Sequence, residues 1–216
     1  MSRTSLSRRT GGTGPAAATG ATAAALLLTL SACGGGNEGA GDDTPRETGQ
    51  EGAAGNGSSV EPFGPGCSDF PGEGAGSFEE MADQPFATAI ADSPVLGNLA
   101  DALERSGLSD RMDTAEGMTV FAPVDDAFDM YPDGEMDDLL EDPGGLAHLL
   151  NYHVVAGEVP SAELDGGVFD ALNGGQVRSS ASGGRYTVDG YAPVVCADVE
   201  TANATVHVVG MLLIPS

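Results

Sequence analysis

The chain contains no Lys and no Trp, and only three of its 216 residues are Cys. Its eight basic residues, all Arg, face 33 acids, for a formal net charge of −25. A nucleic-acid binder needs a cationic surface to release counterions from phosphates, so that class is excluded. A polybasic membrane patch is excluded for the same reason. Three cysteines are too few for a multi-cysteine zinc module or a disulfide-dense miniprotein. Aromatic residues make up 5% of the chain, whereas Gly (33) and Pro (13) are plentiful and unevenly spread. That unevenness divides the chain.

Arg3, Arg8 and Arg9 precede an Ala- and Leu-rich run, Ala16 to Leu30. The run is too short and too Ala-rich for a comfortable membrane span, and it reads as a secretory leader. It ends in Leu30-Ser31-Ala32-Cys33, which resembles a bacterial lipobox. The expectation is cleavage after residue 32 and lipid on the thiol of Cys33, with the general secretory route favoured over twin-arginine export. Loss of the leader would leave five Arg against 33 acids, a net charge near −28. Such a charge repels anionic headgroups, so attachment would rest on the acyl chains. Residues 33–66 then form the lipidated cysteine and a Gly-rich acidic spacer that buries too little apolar surface to fold. Its reach as a flexible coil is roughly 30 Å.

Residues 67–216 are long enough for one core. The first half reads helical: Ser77 before Phe78–Ala82, then Pro85–Ala91, then a helix opened by Ser93-Pro94 and stopped by Gly107. Met118–Ala122 reads as a strand, followed by short helices over Asp125–Met130, Glu135–Leu140 and Gly144–Tyr152. The second half reads as antiparallel strands over Val154-Val155, Val168–Leu172, Gln176–Ser180, Tyr186–Val188, Pro193–Val199 and Thr205–Leu213, with Gly183-Gly184 as a hairpin turn. Helices first and strands after indicate an α+β domain. With Cys33 committed to lipid, Cys67 and Cys196 are left, either as a disulfide or as free redox thiols. The oxidising compartment and the lack of a C-x-x-C favour the disulfide. Its closed loop of about 130 residues would be worth roughly 4–5 kcal/mol in the chain-entropy model.

Thr119-Val120-Phe121-Ala122-Pro123-Val124-Asp125-Asp126-Ala127-Phe128 resembles the first signature of the fasciclin domain. Leu149–Val155, with Tyr152-His153 at its centre, resembles the family's central segment, and Asn203–Pro215, with His207 four residues after Asn203, resembles its last. The resemblance covers about residues 80–216. Gly64–Cys67 and Val194–Cys196 further look like actinobacterial single-domain fasciclin lipoproteins and secreted antigens, in which these cysteines pair. Val124 departs from the usual Thr or Ser, and Ala204 from a frequent Gly.

The resemblance implies a β-sandwich-like wedge with several short helices along it. It also implies adhesion or matrix binding without catalysis, and no cofactor. Thr119, Phe121, Pro123, Asp125, Phe128, Asn203, His207 and Pro215 carry the signature. Of these, Phe121 and Phe128 are expected in the core, Pro123 ends its strand, and Asp125 favours a helix dipole. Tyr152 and His153 are the candidate binding pair, weighed against a core role, and His207 is expected inside.

No metal is implied. The three His show no i,i+4 pair, and the Asp125-Asp126 and Asp137-Asp138 carboxylates diverge on a helix. No G-x-S-x-G elbow is present. The expected partners are the membrane, through the lipid on Cys33, and an unidentified protein or glycan at the cell surface. The alternative is a carrier or sensor of a small apolar ligand.

Overall fold

The computed structural model describes residues 61–132 and 134–215. The leader, Cys33 and the spacer up to residue 60 lie outside the described residues. A 3-10 turn, Pro65–Asp69, leads into four helices: α1 (Phe78–Ala82), α2 (Phe86–Ala91), α3 (Gly97–Ser106) and α4 (Ser109–Thr114). Strand β1 (Met118–Pro123) follows, then α5 (Asp125–Asp129), α6 (Glu135–Glu141) and α7 (Pro143–Tyr152). The rest is β2 (Val154–Ala156), β3 (Val168–Asp170), β4 (Gln176–Ser182), β5 (Arg185–Val188), β6 (Ala192–Glu200) and β7 (Ala204–Val209), with a 3-10 turn, Ser161–Glu163, after β2.

The strands form one sheet in the order β2-β1-β7-β6-β5-β4-β3. A bridge between Val155 and Ala171 brings β2 beside the far end of the sheet, so the wedge is a single sheet curled almost into a barrel. The expectation of purely antiparallel pairing needs one correction. β1 runs parallel to β7, in register from Met118–Ala204 to Pro123–Val209. Hairpins impose antiparallel pairing on neighbours in sequence. β1 and β7 are joined through nearly the whole domain, so no turn constrains their relative direction.

β1 is buried along its whole length because both of its faces are covered. Met118, Val120 and Ala122 point into an apolar cluster shared with Leu99, Met112 and Leu146 of the helical layer. Phe121 points the other way, into the curl of the sheet, with Val177, Val188, Val209 and Leu213. Alternation along one strand therefore feeds two cores.

Four local expectations shift. α3 starts at Gly97, with Leu96 before it, rather than at Ser93-Pro94. The Val95 carbonyl is occupied by the Asp125 amide at 3.0 Å, and Ser93–Leu96 form a turn. α4 was not expected, since Met112 is its one buried residue and leaves no periodicity to read. β7 ends at Val209, four residues before the expected end. Finally, the folded chain begins before Cys67. Phe63 pairs with Ala197, its amide reaching the Ala197 carbonyl at 3.2 Å and its carbonyl accepting the Ala197 amide at 2.8 Å. A Cβ on Gly64, at φ 134°, would strike the Val195 carbonyl, so this entry strand needs glycine there. The expected hairpin at Gly183-Gly184 forms, with φ 59° and 77°, as a primed turn requires.

Candidate functional site

The signature residues meet in the interior. Phe121, at the centre of β1, accepts no solvent contact; its amide donates to the His153 carbonyl at 2.8 Å, and its ring lies 5.7 Å from the His207 ring. Three motifs that are far apart in sequence therefore converge on one residue, His153 on its backbone amide and His207 on its ring. Two residues earlier, the Thr119 hydroxyl donates to the Gly157 carbonyl at 2.7 Å and accepts the Val159 amide at 2.8 Å. It fastens the loop after β2 to the sheet. Pro123 closes β1 against Val209, and Phe128 packs in the helical cluster.

Tyr152 and His153 are both inside, 4% and 1% exposed. Their candidacy as a binding surface is therefore corrected: neither side chain is presented to a partner. The Tyr152 hydroxyl sits 2.9 Å from the Gln176 carbonyl and 3.0 Å from the Asp189 carboxylate. Burial, and then the adjacent Asp189 carboxylate, push the phenol up to about 12. The other Asp189 oxygen accepts the Arg178 amide at 2.9 Å, so Asp189 ties α7 to β4.

His153 bridges two chain segments. With the Nδ1 proton donated to the Leu149 carbonyl at 3.0 Å, Nε2 is free to accept the Leu213 amide at 2.9 Å. That assigns the neutral Nδ1–H tautomer. Burial lowers its pKa to about 4. His207 takes the opposite tautomer. Its Nε2 proton goes to the Val159 carbonyl at 2.8 Å and its Nδ1 accepts the Asp198 amide at 3.3 Å, with burial again lowering the pKa.

Ser161, Asp198 and His207 lie close together, yet they are not a nucleophile and its base. The Asp198 carboxylate takes both the Ser161 hydroxyl and its amide, while the His207 ring nitrogens face backbone groups. All three residues are buried. A serine nucleophile needs an imidazole acceptor and an open face, and this cluster provides neither.

The remaining polar signature residues act on helix ends. Helices of five to ten residues gain little from internal hydrogen bonding and leave most of their terminal groups unpaired. The Asn203 side-chain carbonyl accepts the Phe86 amide at the start of α2, at 2.8 Å, and its amide donates to the Met112 and Ala115 carbonyls at 2.7 Å each. One side chain thus closes the start of α2 and the end of α4. The Asp113 carboxylate accepts the Ala87 amide at 2.7 Å, and Asp125 accepts the Asn98 amide at 2.8 Å. Asp125 accordingly caps α3, not the helix it belongs to. Val124, before α5, supplies no side-chain cap there. Cys67 and Cys196 form a disulfide with a Cα–Cα distance of 5.0 Å, fastening the entrance of the domain to β6. Pro215 follows Ile214, whose amide donates to the Tyr191 hydroxyl at 2.8 Å.

Three depressions open on the outside, and parts of the first and last signatures line two of them, Val124 to Asp126 and Gly210 the first, Ala127, Met211 and Ile214 the second. A depression of about 560 Å³ is lined by Phe70, Val95, Val195 and Met130, together with Asp69 and Asp126. A second, of about 310 Å³, shares Met130 and is lined by Tyr191, Met211 and Ile214, with Glu135. A third, of about 670 Å³, lies between α2, α3 and α4 and carries Asp92, Asp101, Glu104 and Asp113. Among the described residues no group of three His, Cys, Asp or Glu side chains is arranged to hold a metal ion. No helix among them is long and apolar enough to cross a membrane.

A curled mixed sheet flanked by short helices, with these buried motifs, defines a recognised domain type. Residues 94–215 match the family model described as the fasciclin domain. The chain is 36% identical over 160 residues to the cell surface glycolipoprotein MPB83 of Mycobacterium bovis, covering 71% of this chain and 72% of that one. It is 35% identical over 160 residues to the immunogenic protein MPB70 of the same organism, covering 70% and 81%. A FAS1 domain pair from the insect cell adhesion molecule Fasciclin I superposes with a TM-score of 0.52 at 17% identity, over 62% of this chain and 51% of that one, a likeness of fold. The chain belongs to the fasciclin-domain family, and MPB83 among its relatives is named as a cell surface protein.

Proposed function

We propose that the protein is an extracytoplasmic binding module, held at the outer face of the membrane by lipid on Cys33, that engages a protein or glycan of the envelope or matrix without catalysing a reaction. The observation that carries this reading is the kinship with proteins named as cell surface glycolipoproteins, one of which aligns over 160 residues. The lipobox-like Leu30–Cys33 and the Gly-rich spacer supply the means of attachment and reach. The geometry agrees with a non-catalytic role. The polar signature side chains are spent on internal hydrogen bonds, which leaves recognition to the surface between them.

Capture tests this reading. The full chain, disulfide intact, is presented to envelope and matrix material at low and high salt, beside an unrelated protein of equal negative charge. Salt-resistant, selective capture is expected. Capture that matches the control would reduce the binding to charge, which salt screens. A copurifying apolar molecule in native mass spectrometry would instead favour the small-ligand carrier. The anchor has its own test: intact-mass analysis is expected to find acyl groups on Cys33, and Cys33→Ala is expected to release the protein into the medium.

A further inference from the structure

Two of the depressions lie side by side, sharing Met130 and lined by the consecutive residues Gly210 and Met211, and are taken together as one groove. Its apolar side chains are unusually open: Met130 is 60% exposed, Ile214 43% and Tyr191 40%. Clusters of this kind on a soluble domain mark contact surfaces. The groove is also acidic, with Asp69, Asp126 and Glu135 exposed along it.

We propose that this groove docks a segment of a partner protein in which Lys or Arg alternates with large apolar side chains. The proposal rests on the binding-module reading and names the chemistry of the partner. Charge selects the occupant. The chain carries −25 and no Lys, so a second copy would set acid against acid, and an anionic headgroup would be repelled in the same way. A purely cationic segment has no use for Met130, Tyr191 and Ile214, and it would be served equally by the acidic cleft between α2, α3 and α4. A segment with both properties uses the carboxylates for steering and the apolar side chains for affinity.

The probe is a short synthetic peptide of alternating lysine and leucine, titrated onto the full disulfide-bonded chain at physiological salt. Lysine–serine and glutamate–leucine peptides of equal length serve as controls. The lysine–leucine peptide is expected to bind, and the controls are not. Met130→Glu and Asp126→Lys are each expected to weaken it by about tenfold or more, a hot-spot effect. Asp101→Lys, an equal charge change at an exposed residue of the acidic cleft, is expected to leave it within about twofold. Unchanged amide spectra establish that each variant is folded. Equal losses for Asp101→Lys and Asp126→Lys, no effect of Met130→Glu, or equal binding of the lysine–serine peptide would each overturn the proposal. The same variants in the capture experiment separate the two readings. Full capture of envelope material by Met130→Glu would overturn the groove and leave the binding module standing. Peptide binding in the groove without any envelope capture would do the reverse.

Discussion

The interior of the curled sheet and the helical layer outside it are stabilised by different chemistry. Inside the curl, the polar side chains are buried and each hydrogen bond has a fixed backbone partner: Thr119 with two loop groups, His153 with Leu149 and Leu213, His207 with Val159 and Asp198. In the helical layer, the short helices are terminated by side chains distant in sequence, Asp113, Asp125 and Asn203. An unpaired buried polar group costs about 1–3 kcal/mol, whereas an exposed cap is worth about 1 kcal/mol. The inner core should therefore be the less tolerant region, and its weakness should be acid.

The largest effect should come from Phe121→Ala. This ring is fully buried where the three motifs meet, and its loss should cost about 3–5 kcal/mol in urea unfolding. An effect below about 1 kcal/mol would mean that the motifs do not depend on it.

Acid comes next. The folded pKa of His153 is depressed to about 4, so the unfolded chain, near 6.5, binds the proton more readily. Its contribution is full above pH 6.5 and is lost as pH falls through the folded value. His207 shifts in the same direction. Urea unfolding at stepped pH should show a loss of about 3 kcal/mol from His153 alone between pH 6.5 and 4. A flat profile over that interval would place the charged ring in a solvated site.

Asn203→Ala should cost about 2 kcal/mol, since it uncaps α2 and α4 together. Hydrogen exchange should rise in both helices while β4 and β5 stay protected; a uniform rise would mean that the two regions unfold as one. The smallest effect should be of opposite sign. Val124→Thr supplies the cap missing before α5 and should stabilise by about 0.5–1 kcal/mol.

The two regions were also unequally legible in the sequence. Short helices with a clear local signal, such as Phe78–Ala82 after Ser77, fall where their patterns place them. So does the hairpin at Gly183-Gly184, because a primed turn states its needs in two residues. α4 carries no readable periodicity, and the start of α3 is set by Asp125, which lies 27 residues from the Asn98 amide that donates to it. Neither can be found by local reading. The parallel alignment of β1 and β7 is a tertiary choice of the same kind. For the site, the motifs pointed to Tyr152 and His153, whose polar atoms suit a surface equally well until their partners, Asp189 and Leu213, are known. Met130, Tyr191 and Ile214 come from separate segments and become a groove only in the fold.

If the polar signature residues build the interior and leave recognition to the surface, the two buried imidazoles are closed to solvent. Imidazole ¹⁵N shifts of His153 and His207, followed from pH 8 down to about 5, test it most directly. Both rings should stay neutral throughout, His153 as the Nδ1–H tautomer and His207 as the Nε2–H tautomer. A His153 ring that exchanges tautomers and takes up its proton near pH 6.5 would be a solvated ring, open to a partner, and would contradict it.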